Sequence, residues 1–266
     1  MPLILANGRT FFIEEIGAGD PVVFVSGLGG DHRAFAVPVR RIAKTWRALS
    51  IDNRDSGQSD RATESYSTEN LADDLAAVVD ALKLPPVHLV GQSLGGLIAQ
   101  HFALRHPHCV RSLTLVSSHA GSNAWKKAVV ASWVELKRVV EAADFARATL
   151  PWLVAPAFYE HGAEQIQGMI RFAQRNEWPQ DADAFARQAF AASTHELRDR
   201  LGELKVPTLV LNGEFDLVNP VSISRELADR IAGSRFQVLK GVGHLPHVEN
   251  VGTFLEALEG FLLELS

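Results

Sequence analysis

The chain has 266 residues, 47% of them hydrophobic and 21% charged, enough to build one large globular α/β domain. A net charge of −5 leaves no basic footprint for nucleic acid or for an anionic membrane surface. Cys109 is the single cysteine, which excludes an intrachain disulfide and suits a reducing cytoplasm.

The first nine residues carry no charged leader and only a brief apolar stretch, so they do not read as a signal peptide. No apolar run approaches the length needed to span a bilayer. Residues 10–16 alternate as a first strand, closed by Gly17-Ala18-Gly19-Asp20-Pro21. Val22-Val23-Phe24-Val25 is a continuous apolar run, predicted as a strand buried on both faces. It ends in Ser26-Gly27-Leu28-Gly29-Gly30. Helical spacing over 33–44 leads to a strand at 46–51 and a polar loop, 52–60, in which Arg54 stands between Asp52 and Asp55 and is expected to pin the loop by ion pairs.

An amphipathic helix is predicted over 68–82, with Leu71, Leu75, Val78, Val79 and Leu82 on one face. After Pro85-Pro86 a strand, 87–90, runs into Gly91-Gln92-Ser93-Leu94-Gly95, and a helix follows as far as His106 before Pro107. The next strand covers 110–116. From 118 to 200 the alternation lapses into a mostly helical block broken by Pro151, Pro156, Gly162, Gly168 and Pro179, holding four of the five tryptophans. Alternation resumes with strands at 206–211 and 236–239 and helices at 221–231 and 253–263. Strands alternating with helices imply a mainly parallel sheet covered on both faces. The expected organisation is a core of 1–117 and 201–266, with 118–200 as a cap over the carboxyl ends of the strands, where such sheets bind ligands.

Gly-x-Ser-x-Gly gains a mechanical meaning between a strand and a helix. The reversal crowds the backbone, so Gly91 and Gly95 flank the serine. The Ser93 hydroxyl is then raised at the start of a helix, whose free N–H groups favour developing negative charge. Serine needs a base, and the base an orienting carboxylate. Later strands run into Asn212-Gly213-Glu214-Phe215-Asp216 and Gly241-Val242-Gly243-His244, in the order expected for this turn. Asp216 is favoured over Glu214, and His244 over His247, which reads as lid-facing or structural. Backbone N–H groups of Leu28 and Leu94 are the expected oxyanion donors. Trp125, Trp152, Phe158 and Leu217 are candidate substrate contacts; Arg138, Arg171 and Arg175 read as solvated helix faces. His88, His101, His106 and His108 read as helix or strand-end residues, and no metal or dinucleotide motif is present.

With these motifs in place, the whole chain resembles the α/β-hydrolase superfamily, carried by Gly91-Gln92-Ser93-Leu94-Gly95-Gly96, the 52–60 loop, Asn212-Gly213-Glu214-Phe215-Asp216 and Gly243-His244. It is similar to 3-oxoadipate enol-lactonases, aminoacrylate hydrolases and small carboxylesterases. It departs from many of them in having Ser26-Gly27 for His-Gly and Asp55-Ser56-Gly57 for Gly-x-Gly. The resemblance implies a Ser93–Asp216–His244 triad and cofactor-free hydrolysis of a small-molecule ester, lactone or similar acyl bond by a cytoplasmic monomer or homodimer. Two alternatives accompany it. One is a hydrolase-fold ligand sensor with slow turnover, in which the cap is the bistable element; the other is carbon–carbon bond hydrolysis of dienoic keto acids.

Overall fold

Strands that read as unbroken apolar runs divide their side chains between two cores. Val23 and Val25 join one cluster while Val22 and Phe24 join the other, as a period of two requires. The computed structural model describes residues 3–265. Its strands are β1 (Leu3–Ala6), β2 (Arg9–Ile16), β3 (Pro21–Val25), β4 (Arg47–Ile51), β5 (Val87–Gln92), β6 (Val110–Val116), β7 (Thr208–Gly213) and β8 (Arg235–Leu239). They form one sheet in the order β1-β2-β4-β3-β5-β6-β7-β8. The β1–β2 and β2–β4 pairs are antiparallel and all the others parallel.

Helices α1 (Ala36–Ile42), α2 (Thr68–Ala81) and α3 (Leu94–Arg105) alternate with these strands. Helices α4 (Ala124–Val139), α5 (Ala142–Leu153), α6 (Pro156–His161), α7 (Ala163–Gln174) and α8 (Ala182–Thr194) lie between β6 and β7; α9 (Val221–Asp229), α10 (Pro246–Glu249) and α11 (Val251–Leu263) complete the chain. One core packs β3, β5 and β6 against α2, α3 and α9. The other sets Phe24, Val90 and Leu211 against α1 and α11 through Val39, Ile42, Phe254 and Leu258. Ser67 caps α2 by accepting from Asn70 N, and Asn70 returns the bond to the Ser67 backbone. The helical spacing of this region divides in two, a tighter 3₁₀ turn over His32–Phe35 followed by α1.

Three elements differ from the sequence reading. β1 precedes the strand taken as first, pairing Leu3 with Phe12. Leu3 and Leu5 remain largely exposed while Ile4 and Ala6 turn to the core, so its uniform apolar run hides which face is inward. Pro151 does not break α5: it lies in the last turn, and the helix runs past it to Leu153. Gly168 likewise lies within α7.

The α4–α8 block has its own small cores. Val129, Val130 and Trp133 of α4 meet Phe185 and Ala189 of α8, and Leu150 and Val154 meet Ile166 and Ile170 of α7. It is tied to the 52–60 loop by polar contacts. Asp55, with a left-handed φ of 69°, is fully buried. Its carboxylate accepts from Arg187 Nε and Nη2 (2.9 Å each), Tyr66 Oη (2.8 Å) and Ala62 N (2.8 Å). Gln188 of α8 donates to Arg54 O and Ser56 Oγ, both at 2.9 Å. Arg54 itself turns to Asp74 of α2, at 2.7 and 2.8 Å, instead of pairing with Asp52 or Asp55. Asp52 is occupied by His32 and Gln58 N. Among the described residues no helix is long and apolar enough to cross a membrane.

Candidate active site

β5 delivers Ser93 at its carboxyl end, and the chain turns straight into α3. Ser93 has φ 52° and ψ −115°, a backbone region that costs a non-glycine residue about 1–3 kcal/mol and persists only where the surroundings over-determine it. Packing supplies that constraint. A Cβ on Gly91 would come within 2.3 Å of Gly95 O, and one on Gly95 within 2.0 Å of Val25 O. One on Gly27 would meet Gln92 Oε1 at 2.3 Å and Ser93 Cβ at 3.1 Å. The three glycines let β3, the turn and α3 close around the serine. Ser93 N donates to Val116 O at 2.9 Å, fixing the turn to β6.

Asp216 and His244 arrive from the ends of β7 and β8. His244 Nδ1 lies 2.8 Å from Asp216 Oδ2, which leaves Nε2 for the pocket side. Asp216 Oδ1 accepts from Val218 N (2.9 Å) and Asn219 N (2.7 Å). Both residues are buried. The rival carboxylate is engaged elsewhere: Glu214 accepts from Lys240 Nζ and Gly241 N, and these bonds hold its carboxyl below the usual range. His247 is structural, stacked on Phe35 with ring centroids 4.5 Å apart.

Ser93 and His244 line the same cavity of about 90 Å³, together with Leu28 and Leu94. The N–H groups of Leu28 and Leu94 meet no acceptor among the described residues, which leaves both donors open to a ligand oxygen. Ser93 Oγ makes no hydrogen bond among them either, so the serine–imidazole link stands open here; such links are often long before substrate binds.

The substrate contacts expected from the cap fall differently. Trp125, Trp152 and Leu217 are 43%, 37% and 50% exposed, and Phe158 packs beside Leu150 and Ile166. None of the four lines the cavity; Lys126, Trp133, Leu153 and Val218 do. Three of these are the next residue along from an expected contact. In α4 the reason is helical phase: Lys126, Val129, Val130 and Trp133 share the inward stripe, and Trp125 points away. Arg138, Arg171 and Arg175 stay outside the cavity.

Sequence reasoning also missed the residues that hold the histidine loop. The Glu249 carboxylate accepts from Ala155 N (2.7 Å), Gly243 N (2.9 Å) and Leu245 N (3.2 Å). His244 N donates to Leu153 O at 2.9 Å. The loop is thereby stitched to the end of α5. Glu249 stands five residues beyond His244 with no motif around it, so only the folded loop reveals its role.

Asp31, His32 and Asp52 are the one group of potential metal ligands among the described residues. Their oxygens are already committed to Arg33, His32 and Gln58, which makes the group a structural network.

This sheet order, the strained serine at the β5–α3 turn and the carboxylate–imidazole pair beyond β7 and β8 define an α/β hydrolase. The chain belongs to the alpha/beta hydrolase fold family, which matches residues 20–251. It is 30% identical to 2-hydroxymuconate semialdehyde hydrolase of a Pseudomonas species, over 98% of this chain and 93% of that one. It is 26% identical to 3-oxoadipate enol-lactonase 1 of Acinetobacter baylyi, over 96% and 94%. Among solved structures, the enol-lactonase of Burkholderia xenovorans superposes with a TM-score of 0.90 at 27% identity, covering 98% of this chain and 100% of that one. The protein is an enzyme of the α/β-hydrolase type, similar both to enol-lactonases and to 2-hydroxymuconate semialdehyde hydrolase.

Proposed function

We propose that the protein cleaves the carboxylic ester, lactone or similar acyl bond of a small molecule through an acyl-enzyme on Ser93. His244 Nε2 takes the Ser93 proton as Oγ attacks the carbonyl carbon. The N–H groups of Leu28 and Leu94 hold the oxyanion. The imidazolium then protonates the leaving oxygen, and the neutral imidazole activates the water that releases the acid. Asp216 fixes the imidazole tautomer and stabilises its cation. The observation that carries this reading is the 2.8 Å His244–Asp216 bond at the wall of the cavity that Ser93 also lines.

Turnover of short p-nitrophenyl esters, with mass spectrometry of the acylated peptide, tests it. Ser93→Ala is expected to lower kcat by about a thousandfold or more and to abolish the adduct, with the fold intact by circular dichroism. Near-normal turnover in that variant overturns the assignment.

Carbon–carbon hydrolysis is the second reading, favoured by the 30% identity to 2-hydroxymuconate semialdehyde hydrolase. Assaying a dienoic keto acid beside the simple esters separates the two, since only a carbon–carbon hydrolase consumes it at a comparable kcat/KM.

A further inference from the structure

One charged side chain in the cavity is not used by this chemistry. Lys126 occupies the first turn of α4 and is 6% exposed. The N-terminal end of a helix disfavours a cation, and a buried ammonium without a partner carboxylate is costly. No carboxylate pairs directly with Lys126 among the described residues; Nζ donates to Asn219 Oδ1 and to no other acceptor there. Two of its three N–H groups are therefore uncommitted.

The surroundings match that surplus of donors. No Asp or Glu lines the cavity. Burial holds the neighbouring His119 well below its ordinary pKa, so it adds no competing charge. The Ser193 hydroxyl, also in the lining, has no partner among the described residues. The lining is otherwise mixed: Leu28, Val130 and Trp133 are apolar, while Gln92 and Ser122 are polar. Burial lowers the Lys126 ammonium to about 7, against the pull of the Asp216 charge, so the cavity offers one amine that an anion would hold charged, and a free hydroxyl in the same lining as Ser93. An anionic group placed there would supply the partner that the fold withholds from Lys126.

We infer that Lys126 is a specificity-determining residue that binds a carboxylate of the substrate, so that the substrate is a small ester or lactone carrying a free acid group. This rests on the proposed hydrolysis at Ser93, but its test does not need turnover. Calorimetry on the Ser93→Ala protein compares monomethyl succinate with methyl pentanoate, and acetoxyacetate with propyl acetate, placing the anion on the acyl or the alcohol side. In at least one pair the acid is expected to bind about tenfold or more tightly than its neutral counterpart, the margin of a charge-assisted hydrogen bond. Adding Lys126→Met is expected to erase that preference, and a loss common to both ligands cancels in the ratio. Equal binding within both pairs overturns the inference, even if the double variant fails to fold. So does a preference that survives Lys126→Met, as it would if the lysine only supported the Asp216 loop. If the acid preference holds while the native enzyme leaves Ser93 unacylated, the hydrolytic reading fails alone.

Discussion

Asp216 splits its two oxygens between two tasks. Oδ2 meets His244 Nδ1 at 2.8 Å, while Oδ1 is held by the N–H groups of Val218 and Asn219. The carboxylate is thereby oriented by backbone that belongs to its own loop. Asp216→Asn keeps the shape but places an amide where an acceptor is needed, and the imidazole is driven to the wrong tautomer. We expect kcat to fall by about a thousandfold or more, with little change in stability. Glu214→Gln is the matched control: Glu214 faces Lys240 at the surface, and its ester turnover should stay within about twofold of native. Equal losses in the two variants, in side-by-side kcat measurements, would reassign the orienting acid.

The glycines around Ser93 make a second contrast. A Cβ at Gly95 meets backbone atoms, Val25 O at 2.0 Å and Val25 C at 2.6 Å, so no side chain can swing clear. Gly95→Ala should cost about 3 kcal/mol or more and abolish ester turnover, because β3 or the elbow must shift. Gly168, inside α7, has nothing within 4 Å of its added Cβ. Gly168→Ala should raise stability by about 0.5–1 kcal/mol at unchanged turnover. Denaturant midpoints of the two variants decide the matter; a harmless Gly95→Ala would mean that the elbow is not packed as described.

The α4–α8 block is held to the 52–60 loop by a buried pair. Asp55 is fully buried and Arg187 is its only formal cation partner among the described residues. Removing the guanidinium leaves an uncompensated carboxylate, a loss of about 3–5 kcal/mol. Arg187→Met should therefore lower Tm by roughly 6–20 °C. Asp55→Asn combined with Arg187→Met should recover part of that loss, because the residual amide can still accept from Ala62 N through its oxygen and donate its NH2 to Tyr66 Oη. Scanning calorimetry on the single and double variants reads both; additive losses would show that the pair does not couple α8 to the 52–60 loop.

Much of this architecture was legible in the chain. Short apolar runs marked β3 and β5–β7, and the glycines at 91, 95 and 243 marked the turns that carry Ser93 and His244, because a steric requirement leaves a residue-type signature. Asp216 and His244 were legible by their place after strand ends. What escaped was set by phase and by three-dimensional neighbours. Trp125 and Lys126 are adjacent in sequence, and only the packing of α4 against α8 decides which faces the cavity. Arg54 has Asp52 and Asp55 within two residues, yet folding brings it Asp74 from α2. Proximity along the chain favoured the wrong partners there.

The buried histidines set the response to acid. Burial lowers His88 and His101 to about 4 and His247 to about 3, and it holds His119 and His195 well below their ordinary value. In the unfolded chain each titrates near 6.5. Their folded pKa values lie below the unfolded ones, so between about pH 6.5 and pH 4 the unfolded chain binds more protons. Stability from these groups is complete above the unfolded value and declines as pH falls through that window, each contributing at most about 1.4 kcal/mol per pH unit. Two groups run the other way. At His32 burial alone would lower the pKa, but the Asp52 carboxylate outweighs it and raises it. Glu249 is raised by burial, against the N–H groups that bind it. Both take up protons more readily when folded, and so favour the folded state on acidification. Five groups against two predict a Tm that falls from pH 7 to pH 5. His88→Gln, which removes one imidazole while its amide can still meet Ser112, should make that fall shallower. Thermal melts at half-unit pH steps read both effects, and a Tm that stays level or climbs toward pH 5 contradicts the assignment of these imidazoles as buried and neutral.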